Sequence, residues 1–176
     1  MWKEFKPILY FIGRFFVVYI VLTALYSWYL QPYLYEYKIA DPVTTWMTDV
    51  SVGLMNLVGF DAQHVQLEGE AYRRFILDGE FASRVNEGCN AISVMIIFVS
   101  FILAFAAGFK KTLLFLLGGL LIMLISNIIR IAMLTWIYRY WSEYSKVAHD
   151  ILFPGIIYGT VIILWLVWVK YFAFKK

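Results

Sequence analysis

Four runs of apolar residues, at 8–30, 91–109, 112–138 and 151–169, constrain this chain more than any other feature. A helix crosses the hydrocarbon core of a bilayer with roughly 20 apolar residues. Each run reaches that length. Of the 176 residues 62% are hydrophobic and only 15% charged, whereas about a quarter of a soluble domain is charged. The expectation is an all-α polytopic membrane protein, a single integral-membrane domain over residues 1–176 with about four transmembrane helices. The net charge of +3 does not point to nucleic acid, because the basic residues stand at the ends of apolar runs rather than in a patch. A single cysteine excludes an internal disulfide framework and a multi-cysteine metal site. No zinc site, P-loop or dinucleotide fingerprint is present, so no cofactor is expected.

The first run follows Lys3 and Lys6, as a signal peptide would. It is too long for one, and it ends in Tyr26, Trp28 and Tyr29 rather than at a small-residue cleavage site. A retained anchor is expected. Arg14, near its cytoplasmic end, fits snorkelling to lipid phosphates. If the four runs alternate in direction, Lys3, Lys6, Lys110, Lys111, Lys170, Lys175 and Lys176 share one side, offset only by Glu4. Lysine-rich ends are cytoplasmic. Both termini are therefore expected on the cytoplasmic side of the membrane. Aromatic residues at 26–37 and 136–141 mark the outer interface.

The segment 31–90 is then an extracytoplasmic excursion. Asp41 and Pro42 read as a helix N-cap and first-turn proline. Val43, Trp46, Met47, Val50, Leu54, Leu57 and Val58 recur at helical spacing, and Gly59 offers a stop. The opposite face carries Thr44, Thr45, Thr48, Asp49 and Asn56. Such an amphipathic helix lies on the outer leaflet or packs its apolar face on the spans; the pattern leaves both open. Beyond it, residues 64–85 alternate in part between polar and apolar, and Asp78-Gly79 suits the turn of a short β-hairpin. His64, beside Gln63 and Gln66, reads as a surface residue.

The lone thiol, Cys89, stands at the lip of the second run, in "RVNEGCNAISVMIIFVSFILAF". A helix N-terminus there presents unpaired N–H groups and a positive dipole end, an environment suited to a thiolate. The alternative is a buried cysteine acting as a small hydrophobe. Two further residues bear on the choice. Arg130 lies inside the third run, where a cation is costly unless it faces a partner or a cavity. Asn127, one turn earlier on the same face, is placed to orient the guanidinium. His149 precedes the fourth run. Cys89, Arg130 and His149 thus come from three separate spans at one expected depth. Their chemistry fits acyl transfer: a thiolate forms a thioester, a histidine moves the protons, and an arginine stabilises the oxyanion. Glu87 and Asp150 adjoin the cysteine and the histidine, and either could orient His149. Arg139, Glu143 and Lys146 read as solvated loop residues.

At these positions the chain resembles the exosortases and archaeosortases, integral-membrane cysteine transpeptidases. The family pattern of a Cys at the outer start of a span, Asn-x-x-Arg late in the next and His before a later one corresponds to Cys89, Asn127 with Arg130, and His149 with Gly155 following. "EGCNAIS" is most similar to the exosortase F type of Bacteroidetes. The resemblance covers about residues 85–159. It implies an enzyme at the outer face of the bacterial cytoplasmic membrane whose exported protein substrates carry a C-terminal motif, a transmembrane helix and a basic tail. Cleavage at the motif would pass the new C-terminus to a lipid or glycan acceptor. Two departures stand out. Many exosortases have about twice as many spans. The common Cys-Ser-Gly is Cys89-Asn90-Ala91 here, which leaves the usual Pro-Glu-Pro substrate motif open and Asn90 as a supporting residue. A membrane protease using the same residues with water as acceptor, or a non-catalytic assembly or transport subunit, would also fit the sequence.

Overall fold

A computed structural model describes residues 2–173, with backbone only at 2–4, 7 and 173. Lys175 and Lys176, used above to orient the chain, lie outside the described residues. Helix α1 (Trp2–Gln31) runs into a widened turn, Pro32–Tyr37, closed by Lys38 in the left-handed region. Then come α2 (Pro42–Leu57), strands β1 (Ala62–Val65), β2 (Arg73–Leu77) and β3 (Glu80–Val85), and α3 (Ile92–Ala104). The long α4 (Phe109–Tyr140), the single turn α5 (Ser145–Val147) and α6 (Phe153–Trp168) complete the chain. It is an all-α membrane protein with one small sheet.

Among the described residues three helical segments are long and apolar enough to cross a membrane, at Ile8–Tyr37, Phe109–Tyr140 and Ser142–Phe172. The second apolar run behaves differently. Its helix, α3, has 13 residues, roughly 20 Å at 1.5 Å per residue, short of a hydrocarbon core of about 30 Å. Gly108, with φ +94, stands in the break between α3 and α4.

The chain groups into two compact units. The first comprises residues 1–27, 92–123 and 158–176 and is held by aromatic packing. Phe101 stacks on Trp165 at 4.3 Å, and Phe11 meets Phe105 at 4.2 Å. Phe98 is fully buried against Gly119, where an added Cβ would lie 2.4 Å from its ring. Only glycine admits that approach.

The second unit comprises residues 28–91 and 124–157. Asp41 caps α2 as its sequence predicts, accepting from the N–H groups of Val43 at 3.0 Å and Thr44 at 3.2 Å. Gly59, with φ +101, follows the end of α2. The buried face of α2 is the surprise. Thr44, Met47, Thr48, Ser51 and Met55 are inside, whereas Trp46, Leu57 and Val58 are exposed. The helix therefore packs by its small polar side, and Ser51 Oγ donates to the carbonyls of Met47 at 2.7 Å and Ile128 at 3.4 Å. Small residues let helix backbones approach closely, and the Ser51 and Thr48 hydroxyls find main-chain acceptors. Thr48 Oγ1 donates to Thr44 O at 2.8 Å.

The hairpin forms at Asp78-Gly79, both with positive φ (49° and 74°), as a tight two-residue turn requires. β1 adds a third strand, giving an antiparallel sheet in the order β1-β2-β3. The β2–β3 register slips between Phe75 and Ile76, so Ala82 is the extra residue of a bulge. Two expectations need refining. His64 lies half-buried on β1 rather than fully at the surface: its side chain is 17% exposed and its Nε2 lies 2.5 Å from Asp49 Oδ1. Arg139 is not merely solvated but pairs with Glu80 at 3.1 Å.

Candidate active site

Cys89 does not open the α-helix. It closes a single tight turn, Glu87–Cys89, and α3 begins only at Ile92. Its N–H donates to Asn86 O at 2.9 Å and its thiol to Asn86 Oδ1 at 3.3 Å. The helix-terminus environment expected from the sequence is replaced by an asparagine side chain three residues back. The thiol is partly exposed. Between the turn and α3, Ala91 takes φ +58, a left-handed conformation that turns the chain.

The turn is pinned from two sides. Asn90 is buried, and its amide donates to Thr44 Oγ1 at 3.1 Å. That hydroxyl in turn donates to Asp41, the residue capping α2. On the other side stands Asn127, fully buried on α4. Its Nδ2 donates to the carbonyl of Cys89 at 2.8 Å and lies 3.3 Å from Met47 Sδ. Its Oδ1 accepts from Arg130 Nη1 at 3.2 Å. One asparagine thus joins the main chain of the cysteine to the guanidinium. The Nε of Arg130 is buried with no hydrogen-bond partner among the described residues. A buried N–H donor left without an acceptor is costly, and here it marks a position that a negatively charged oxygen would complete.

His149 lies in the widened turn Ala148–Leu152 that leads into α6. Pro154 has no N–H to give the carbonyl four residues earlier, and Phe153 N–H reaches back five residues to Ala148 O instead. Such widened turns are frequent at functional sites. His149 Nδ1 lies 2.7 Å from Asp150 Oδ1. With Nδ1 so engaged, Nε2 is the ring nitrogen left for proton transfer. Of the two carboxylates considered from the sequence, Asp150 is the one that touches the histidine; Glu87 is half-buried in the cysteine turn.

Cys89, Arg130 and His149 line one cleft of about 390 Å3. The expected convergence is therefore realised, although the cysteine reaches it from a turn rather than from a membrane span. Its other walls are β3 from Phe81 to Val85 and the α4 face carrying Thr135 and Tyr138. Sequence reading expected the hairpin that contains β3 and placed Thr44 on α2, but it assigned neither of them, nor Asn86, to the site. Asn86 had a signal, since it stands three residues before the thiol, the reach of one tight turn. β3 had none.

No curated protein and no solved structure matches the chain. The sequence model of the transmembrane exosortase family matches residues 8–170. That span takes in the three long apolar helices but for the last two residues of the third, together with every residue of the cleft, and the chain belongs to the transmembrane exosortase family.

Proposed function

We propose that this protein is a cysteine transpeptidase that cuts exported proteins at a C-terminal sorting signal, on the outer face of the bacterial cytoplasmic membrane. The observation that carries the reading is the single cleft shared by Cys89, Arg130 and His149, with a guanidinium whose Nε has no hydrogen-bond partner among the described residues. Cys89 attacks the scissile carbonyl after giving its proton to His149. The oxyanion accepts from Arg130, whose orientation Asn127 fixes. Collapse breaks the C–N bond, His149 returns the proton to the departing amine, and a thioester on Cys89 remains. An acceptor hydroxyl or amine then attacks the thioester, losing its proton to His149, and Cys89 leaves as thiol. Asp150 on Nδ1 holds the imidazole in the tautomer that both steps require.

The test is processing of a co-expressed exported protein ending in a short motif, one apolar span and a basic cluster. Cys89→Ala should abolish cleavage while the variant still inserts. His149→Ala should lower the rate by about two to four orders of magnitude. Product joined to an acceptor identifies transfer; product ending in a free carboxylate identifies a protease. Normal processing by Cys89→Ala would leave a non-catalytic subunit.

A further inference from the structure

The transpeptidase reading leaves open how a substrate presents one particular carbonyl to Cys89, and the sheet supplies a means. Resting on that reading, we propose that the substrate segment around the scissile bond binds as an added strand along the free edge of β3.

The two outer edges of the sheet are treated differently. At the β1 edge the side chain of Asn56 occupies both main-chain groups of Ala62, donating to its carbonyl at 2.9 Å and accepting from its N–H at 2.8 Å. That edge is blocked at its first residue. β3 pairs with β2 on one side only. On its other side it has no main-chain partner among the described residues, and this strand forms a wall of the cleft. Unpaired N–H and C=O groups in a row are a template for one more strand.

Side-chain contacts hold β3 while leaving its main chain available. Ser83 Oγ lies 2.8 Å from Thr135 Oγ1 on α4. The Arg84 guanidinium sits over the Tyr72 ring at 5.1 Å. The bulge at Ala82 breaks the regular edge, so the flat stretch is Ser83 to Val85. This stretch feeds directly into the Asn86–Cys89 turn. A strand laid on it is therefore carried toward the thiol, with its register set within one or two residues. Pairing through main chain leaves side-chain choice to pockets at alternate positions. It also forces the substrate to be extended at the cut, outside its own membrane helix.

The experiment uses the full chain in detergent and a set of acetylated tetra-alanine vinyl sulfones. One is unmodified, and the others carry a single N-methyl group on successive amides. Cys89 is the sole cysteine, so its alkylation is read by intact mass, with iodoacetamide as a reporter of thiol reactivity alone. Strand addition predicts a two-residue alternation. Methylating an amide that faces β3 slows alkylation about three- to tenfold, the usual worth of one hydrogen bond, while methylating its neighbours does not. Equal rates across the peptide set, or reaction with iodoacetamide but with no peptide, overturn the strand and leave the transpeptidase standing. A thiol inert to every reagent overturns both.

Discussion

Asn127 on α4 holds the main-chain carbonyl of Cys89 at 2.8 Å, thirty-eight residues away in sequence. The same side chain accepts from Arg130. Asn127→Leu removes both bonds and leaves the Cys89 carbonyl without its donor. The loss should be about 1–3 kcal/mol of stability, as for other orphaned buried polar groups. Because the cysteine turn and the guanidinium are released together, the processing rate should fall further than the melting temperature suggests. The check is a thermal midpoint and a cleavage rate on the same preparation. A variant that melts early yet cleaves normally would reduce Asn127 to a packing residue.

Arg130→Lys separates charge from geometry. Lysine keeps the positive charge but not the planar fork or the Nε donor. As oxyanion donor, Arg130 should be worth about 10² to 10³ in rate, with the protein still accumulating in the membrane. Substrate binding should persist, since ground-state contacts remain. A lysine variant that cleaves at near-normal rate, or disappears from the membrane, rules out the oxyanion role.

Ala91 occupies a left-handed conformation that costs a residue with a Cβ roughly 1–2 kcal/mol. In the exosortases this chain resembles, that position is commonly glycine. Ala91→Gly should stabilise the folded protein by up to about 1 kcal/mol, part of the gain being offset by the freer unfolded chain. Ala91→Val should destabilise it and displace the thiol. Comparing melting midpoints of the three proteins decides the point. Equal midpoints for alanine and valine would mean the turn has another conformation.

Acid should loosen the hairpin from the end of α4. The Tyr140 hydroxyl, and next the Asp61 N–H, hold the Asp78 carboxyl below its ordinary 3.8. A depressed carboxylate stabilises the fold above its unfolded value and loses that contribution as pH falls through the folded one. The window therefore lies below about pH 3.8. Tyr140→Phe removes the larger cause, so its thermal midpoint should depend less on pH there than that of wild type. Parallel curves would show that the contact does not contribute.

Orientation rests on the lysines. In a Cys89→Ala background, a membrane-impermeant thiol reagent should label cysteines introduced at Glu80 or Ser145 in intact cells. It should miss one at Lys111 until the cells are opened. The reverse pattern would put the cleft in the cytoplasm.

Much of this architecture was legible, and the failures have physical causes. Long apolar runs, the Asp41-Pro42 cap and the Asp78-Gly79 turn are local signals, and all three appear. Which face of α2 turns inward was left open by its spacing, because an apolar stripe fits the lipid surface as well as a protein core. In lipid, close approach of small hydroxyl residues competes with burial of that stripe, and Thr44, Thr48 and Ser51 took the interior. The convergence of Cys89, Arg130 and His149 followed from where the runs begin and end. The partners that fix them did not, because the contacts of Asn127 with Cys89 and of Asn90 with Thr44 join residues distant in sequence. The 3-residue turn at Cys89 was hidden by an apolar run that looked like a span from its first residue.

The inverted face of α2 has a mechanical consequence. Its oily residues Trp46, Leu57 and Val58 point away from the protein, and a stripe of that kind comes to rest where headgroups meet acyl chains. Its inward side touches Asn127 through Met47. The helix is then a float with the reaction centre moored beneath it. On the proposed function, the depth at which it rides would set how far above the acyl chains a peptide is cut, and so how many residues a substrate would keep between its own membrane helix and the bond that breaks.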